Sequence, residues 1–126
     1  MTARPERKER GHADRQMDSW VKLELNGLKF TWDDEKAIKN WEKHKVTFNL
    51  AAEVFFDAYA LDRPDRWHAQ AEPRRRVIGM TFDLSKTLFV VYTELEIWDD
   101  TEVIRMISAR AATGKERRDY EDGVSK

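Results

Sequence analysis

From Trp20 to Trp32 the sequence WVKLELNGLKFTW alternates apolar and polar residues on either side of Asn26-Gly27. Side chains alternate between the two faces of a strand, and Asn-Gly supplies the positive-φ positions of a type I′ turn, so this pattern predicts a β-hairpin. Pairing Leu25 with Leu28 puts Val21, Leu23, Leu25, Leu28, Phe30 and Trp32 on one face. The apolar period then lengthens. Ala37, Trp41 and His44, with Ile38 beside them, fall at helical spacing. Asp33, Asp34 and Glu35 suit the positive end of the helix dipole, and Lys43, His44 and Lys45 the negative end. A second helix is expected after Thr47 as N-cap, burying Leu50, Ala51, Val54 and Phe55.

Residues 57–73, with Pro64 and Pro73, read as a loop containing a short edge strand around Tyr59 to Leu61. Three strand-like runs follow: RRVIGMTF, TLFVVYTEL and EVIRMISAR. The short polar gaps between them favour antiparallel hairpins, because a parallel crossover takes a dozen or more residues. Thr113 and Glu116 form a capping box for a closing helix. The expected fold is α+β: an N-terminal β-hairpin or strand, two helices packed on an antiparallel sheet, and a C-terminal helix, with the helices covering one sheet face. The other face is expected to stay partly open.

The run EVIRMISAR poses the chemical question. Strict alternation puts Val103, Arg105, Ile107 and Ala109 on one face and Ile104, Met106, Ser108 and Arg110 on the other, so each face receives an arginine. A charge among apolar neighbours is costly unless paired, and the partner here is a carboxylate or a phosphate.

Composition narrows the field. The chain has 126 residues, which fits one domain, and it has no cysteine, so disulfides, thiolate zinc sites and cysteine nucleophiles are excluded. Residues 1–16 are charged and nearly free of large apolar side chains, and are expected to be a disordered extension before a single domain at 17–122 and a tail at 123–126. No apolar run approaches the roughly 20 residues that span a bilayer, and a signal-peptide core is missing, so a cytoplasmic protein without membrane contact is expected. The net charge of -1 gives no overall basic signature. Charge is nevertheless segregated: residues 94–102 are acidic, whereas Arg105, Arg110, Lys115, Arg117 and Arg118 follow, and Arg63, Arg66, Arg74, Arg75 and Arg76 form a second basic cluster.

Several segments, in this order, resemble the BrnT toxins of bacterial type II toxin–antitoxin pairs, within the wider RelE/ParE-like group. They are FTWDDEKAIKNWEKHKVTF, AAEVFFDAYAL, His68 with EPRRRVIG, VVYTE and IRMISARAATGKERRDYE. The family pattern has a glycine after its Lys-His pair, where this chain has Lys45. The resemblance implies a RelE/ParE-like fold and a ribonuclease that inhibits translation. It also implies neutralisation by a BrnA-like antitoxin and contact with promoter DNA only through the toxin–antitoxin complex. The alternatives are a non-enzymatic module acting in that DNA-binding complex, or a ParE-like inhibitor of a protein target.

RNA can be cut without a metal when the 2′-hydroxyl attacks the adjacent phosphorus, which needs a base, an acid and cations at the phosphate. Arg74, Arg105 and Arg110 match recurring positions of the family and suit the last role through their planar forks. The bland alternative for each is an ion pair with Glu94, Glu102 or the last helix. His44, which matches the Lys-His pair, and His68 are the candidate base and acid; otherwise His44 is a dipole partner or packed imidazole and His68 a solvated loop residue. Lys43, Arg76 and Ser108 are candidate substrate-binding residues, with surface or packing roles as their alternatives. Trp67 and Trp98 are candidate contacts for RNA or antitoxin, whereas Trp41 and the other periodic aromatics are expected in the core first. Neither a metal site nor a cofactor is expected, since the acids and histidines show no recognised ligand spacing.

Overall fold

The computed structural model describes residues 21–65, 73–97 and 101–125. The N-terminal extension 1–16, Trp20, Trp67, His68 and Trp98 lie outside the described residues. The hairpin forms as its turn chemistry dictates: β1 (Leu23–Leu25) and β2 (Leu28–Thr31) pair with Leu25 opposite Leu28, and Asn26 and Gly27 both take positive φ. Helix α1 (Asp34–His44) starts at Asp33, whose carboxylate accepts from the Glu35 and Lys36 amides. Thr47 caps α2 (Phe48–Ala51), which tightens at once into a 3-10 turn at Ala52–Phe56 rather than continuing as a full helix.

The edge strand β3 (Leu61–Pro64) lies slightly later than expected and ends in a proline, which cannot donate to a ladder. Strands β4 (Arg75–Met80), β5 (Thr87–Ile97) and β6 (Thr101–Ala111) follow, and helix α3 (Gly114–Ser125) closes the chain, running beyond residue 122. The sheet has six strands in the order β1-β2-β6-β5-β4-β3. Its one parallel pairing, β2 with β6, docks the hairpin beside the last strand and makes the sheet mixed instead of wholly antiparallel.

The main core lies on the face covered by α1, α2 and the 3-10 turn, where Phe30, Phe48, Val54, Val77, Leu88, Val90, Tyr92, Met106 and Ala109 are buried together. Burying a residue of phenylalanine size contributes on the order of 2 kcal/mol. Edge-on ring contacts link the layers, Phe55 meeting Phe30 at 5.4 Å and Tyr92 at 4.8 Å. Gly79 lets β4 approach the 3-10 turn, since an added Cβ would stand 3.0 Å from that of Val54.

Two expectations need correction. The helices do not all lie on one face, because α3 covers part of the other through Tyr120, which packs with Ile78 and Ala112 while Leu61, Met80 and Phe89 close around them. The buried side of α1 is also only partly the one its apolar residues mark: Ala37 packs against the core, but Ile38 and Trp41 are 58% and 48% exposed, whereas Asn40 is buried. Asn40 donates to the carbonyls of Val46 (2.9 Å) and Ala109 (2.8 Å) and accepts from the Ala109 amide (3.0 Å), clamping α1 to β6. A buried amide is tolerated because its polar atoms are bonded in this way.

Candidate active site

β6 carries one extra residue. Opposite β5, Arg110 pairs with Phe89, Ser108 with Val91, Met106 with Tyr92 and Arg105 with Thr93, leaving Ile107 as a bulge. The bulge resets the alternation. Ile104, Met106 and Ala109 therefore face the main core, while Arg105, Ser108 and Arg110 share the opposite face, contrary to the expected one arginine per face. β4 and β3 add Arg76 and Arg63, paired with each other, to that same face. Arginine chemistry is thus gathered on the side of the sheet that α3 only partly covers.

The ends of this face differ. Arg110 forms a two-pronged ion pair with Glu116 of α3, at 2.8 and 3.0 Å, and its guanidinium lies 4.1 Å from the Phe89 ring centre. This is the ion pair with the last helix that stood as the alternative to a phosphate contact. Glu116 also caps α3 by accepting from the Thr113 amide, and its carboxyl is held below the usual range by Arg110 and Thr113, against an opposing push from burial. Arg105, half-buried, lies five residues back along β6, roughly 16 Å away by the rise of a strand. Arg74, just before β4, lines a separate cavity of about 420 Å³ with Asp65, Thr93 and Glu94, and its buried Nε has no hydrogen-bond acceptor among the described residues. Arg76 and Ser108 are half-buried between these ends.

His44 lies elsewhere. It closes α1 and lines a cleft of about 440 Å³ with Lys45, Ser85, Lys86, Thr87 and Arg117, over a floor that includes Val46, Leu88 and Ala111. Four elements meet there: the end of α1, the β4–β5 turn, the end of β6 and the first turn of α3. Among the described residues, four basic side chains and two hydroxyls line the cleft, and no carboxylate does. A helix C-terminus would raise a histidine pKa. His44 instead titrates below its ordinary 6.5, because partial burial penalises the imidazolium and the charges of Lys43 and Arg110 repel it. The imidazole is therefore neutral at pH 7, able to accept a proton, with cations around it to hold an anion.

The structure thus separates the candidates: His44 lines the cleft, the exposed Lys43 precedes it on α1 without lining the cleft, Arg110 is tied to Glu116 on the sheet face, and Arg74 and Arg105 lie toward the far end of β4 and β6. Tyr120 is buried and donates to Asp57 at 2.6 Å, a packing role. Sequence reasoning missed Lys86 and Ser85, which sit in a polar turn with no motif around them. It noted Lys45 as a helix-dipole partner and as a departure from a glycine, not as part of a site. Lys45 holds φ 58°, with its amide donating to the Trp41 carbonyl and its ammonium 5.4 Å from the Trp41 ring. That left-handed backbone is one a lysine adopts at a cost. Lys45→Gly is accordingly expected to raise the thermal midpoint by a few degrees, about 0.5–1 kcal/mol, as melting curves of the variant and the wild type would show.

Fold and cleft together define a small α+β domain arranged to hold an anion beside a neutral histidine. The chain belongs to the BrnT family: the family described as ribonuclease toxin, BrnT, of type II toxin–antitoxin systems matches residues 32–116. No curated protein matches the chain. Membership makes the protein a ribonuclease toxin whose partner is an antitoxin. Among the described residues no helix is long and apolar enough to cross a membrane.

Proposed function

We propose that the protein cuts RNA at the His44 cleft by attack of the substrate's own 2′-hydroxyl, inhibits translation in doing so, and is neutralised by a BrnA-like antitoxin. Through that complex alone it reaches promoter DNA. The observation that carries this reading is the neutral imidazole of His44 among Lys45, Lys86 and Arg117 in a cleft that no carboxylate of the described residues lines.

In this mechanism His44 takes the 2′-hydroxyl proton as the 2′-oxygen bonds to phosphorus. The bond from phosphorus to the 5′-oxygen breaks, giving a 2′,3′-cyclic phosphate, and the leaving oxygen takes up a proton from an ammonium group or from water. Lys45, Lys86 and Arg117 offset the charge that builds on the phosphate. Arg74, Arg105 and Arg76, on the sheet face, hold the RNA backbone away from the cut, and Ser108 adds a hydrogen bond. His68 and Trp67 are further contacts for the RNA or the antitoxin.

The test is cleavage of a short RNA and of the same RNA with a 2′-deoxy nucleotide at the cut site, with and without EDTA. We expect a 2′,3′-cyclic end, full activity in chelator and no cutting of the deoxy substrate. Cutting of the deoxy substrate, or loss of activity in EDTA that added metal restores, would remove this mechanism.

A further inference from the structure

On the other side of the β4–β5 turn from the cleft lies a groove of about 610 Å³, lined by Phe56, Tyr59, Met80, Phe82, Leu84 and Val124 among others. Its rim is apolar and open to solvent: Leu84 is 68% exposed, Tyr59 61%, Phe82 51% and Val124 40%. Scattered exposed apolar residues are ordinary, but four around one groove mark a surface that something covers.

Leu84 carries a second signal. It holds φ 62°, a backbone that a glycine or asparagine takes readily and a leucine does not. The turn keeps it there, since the Leu84 amide donates to the Thr81 carbonyl (2.9 Å) and the Asp83 carboxylate accepts from the Thr81 hydroxyl (2.8 Å), the Ser85 amide (3.0 Å) and the Ser85 hydroxyl (2.7 Å). A strained position that presents its apolar side chain to solvent serves something other than the stability of the free chain.

Charge identifies the occupant. Among the described residues, Glu53, Asp57 and Glu121 line the groove and no lysine or arginine does. Asp57 is occupied by Tyr120 and the Met80 amide, and one Glu53 oxygen by the Phe82 amide, whereas Glu121 is exposed. Such a rim repels nucleic acid and attracts a basic segment. We infer that this groove is where the antitoxin docks, through an amphipathic segment that sets apolar side chains on Tyr59, Phe82, Leu84 and Val124 and basic ones beside Glu53 and Glu121. The inference rests on the toxin–antitoxin reading of the family. It also supplies a route to neutralisation, because Ser85 and Lys86, the next two residues of the same turn, line the cleft. A segment seated on Leu84 stands at the cleft's margin without competing for its cations.

The test is chemical-shift mapping on the nitrogen-15-labelled full chain with two helical peptides of about 16 residues. Both have the same leucine face, one with lysine and the other with glutamate at the polar positions. The lysine peptide is expected to move the amides of residues 56–59, 80–84 and 120–124 and to bind at least about ten-fold tighter than the glutamate peptide. Leu84→Asn should weaken it by about ten-fold while raising the thermal midpoint, since asparagine accepts the positive φ. Phe82→Ser should weaken it similarly. Equal affinity for the two peptides, shifts confined to the cleft or the arginine face, or indifference to both variants overturns the inference. So does concentration-dependent self-association through the groove, which would assign it to a second copy of the chain. Cleavage is read in parallel on the wild type and Leu84→Asn, and both should cut. Loss of cutting in the wild type defeats the ribonuclease reading, and retained cutting without peptide binding defeats the docking surface alone.

Discussion

His44→Gln should lower the rate of RNA cleavage by about 1000-fold while leaving the fold and the affinity for uncut RNA nearly unchanged. A positioned general base typically contributes between about 100- and 10,000-fold, and glutamine keeps the bulk and polarity of the imidazole without its basicity. The loss should therefore appear in kcat and not in KM. The pH dependence supplies an independent readout. The folded pKa lies below 6.5 because partial burial, then Lys43 and Arg110, disfavour the imidazolium, so the acid limb of the wild-type rate profile should have its midpoint below 6.5. The same shift links to stability. An unfolded histidine protonates near its ordinary value, so the stability carried by neutral His44 is complete above pH 6.5 and is lost as pH falls through the folded pKa. His44→Gln should flatten that part of the stability profile, as melting at about pH 5 and pH 7.5 would show. A variant that cuts RNA at near wild-type rate would remove His44 from the chemistry and return attention to the arginine face.

What was legible in the sequence was local. The Asn26-Gly27 turn, the cap at Thr47 and the Thr113–Glu116 box depend on residues no more than three positions apart, and each forms as read. The misreadings have partners far along the chain. Asn40 is buried in place of Trp41 because its amide bonds to Ala109, 69 residues away, which no helical period announces. The bulge at Ile107 is likewise invisible in EVIRMISAR, since it follows from where β5 pairs on each side of it. One inserted residue nevertheless decides whether Arg105 and Arg110 share a face. The cleft is harder still, because it joins residues 44–46, 85–88, 111 and 117, and only His44 was singled out for chemistry there. Periodicity finds elements, whereas a site made where four of them end depends on how they assemble.

Arg110→Ala should destabilise the protein by about 2 kcal/mol, a fall of roughly 10 °C in thermal midpoint, before any effect on catalysis is counted. The substitution leaves Glu116, whose side chain is only 19% exposed, without the guanidinium that meets both of its oxygens. It also removes the contact with Phe89, a further fraction of a kcal/mol to about 1 kcal/mol. Glu116 would keep the Thr113 amide, so the cap weakens without disappearing. In a double-mutant cycle with Glu116→Ala, the coupling should be about 1–3 kcal/mol, because most of the single-variant loss is the cost of one stranded partner. Catalysis should respond through His44: removing a repelling charge raises the imidazole pKa, so the acid limb of the rate profile should move upward in pH, with a modest loss of rate near neutrality. A phosphate clamp predicts the opposite pattern. If Arg110→Ala melts like the wild type, shows no coupling to Glu116 and has lost cleavage by about 100-fold across the whole pH range, the arginine spends its charge on RNA, and the ion pair gives way when substrate binds.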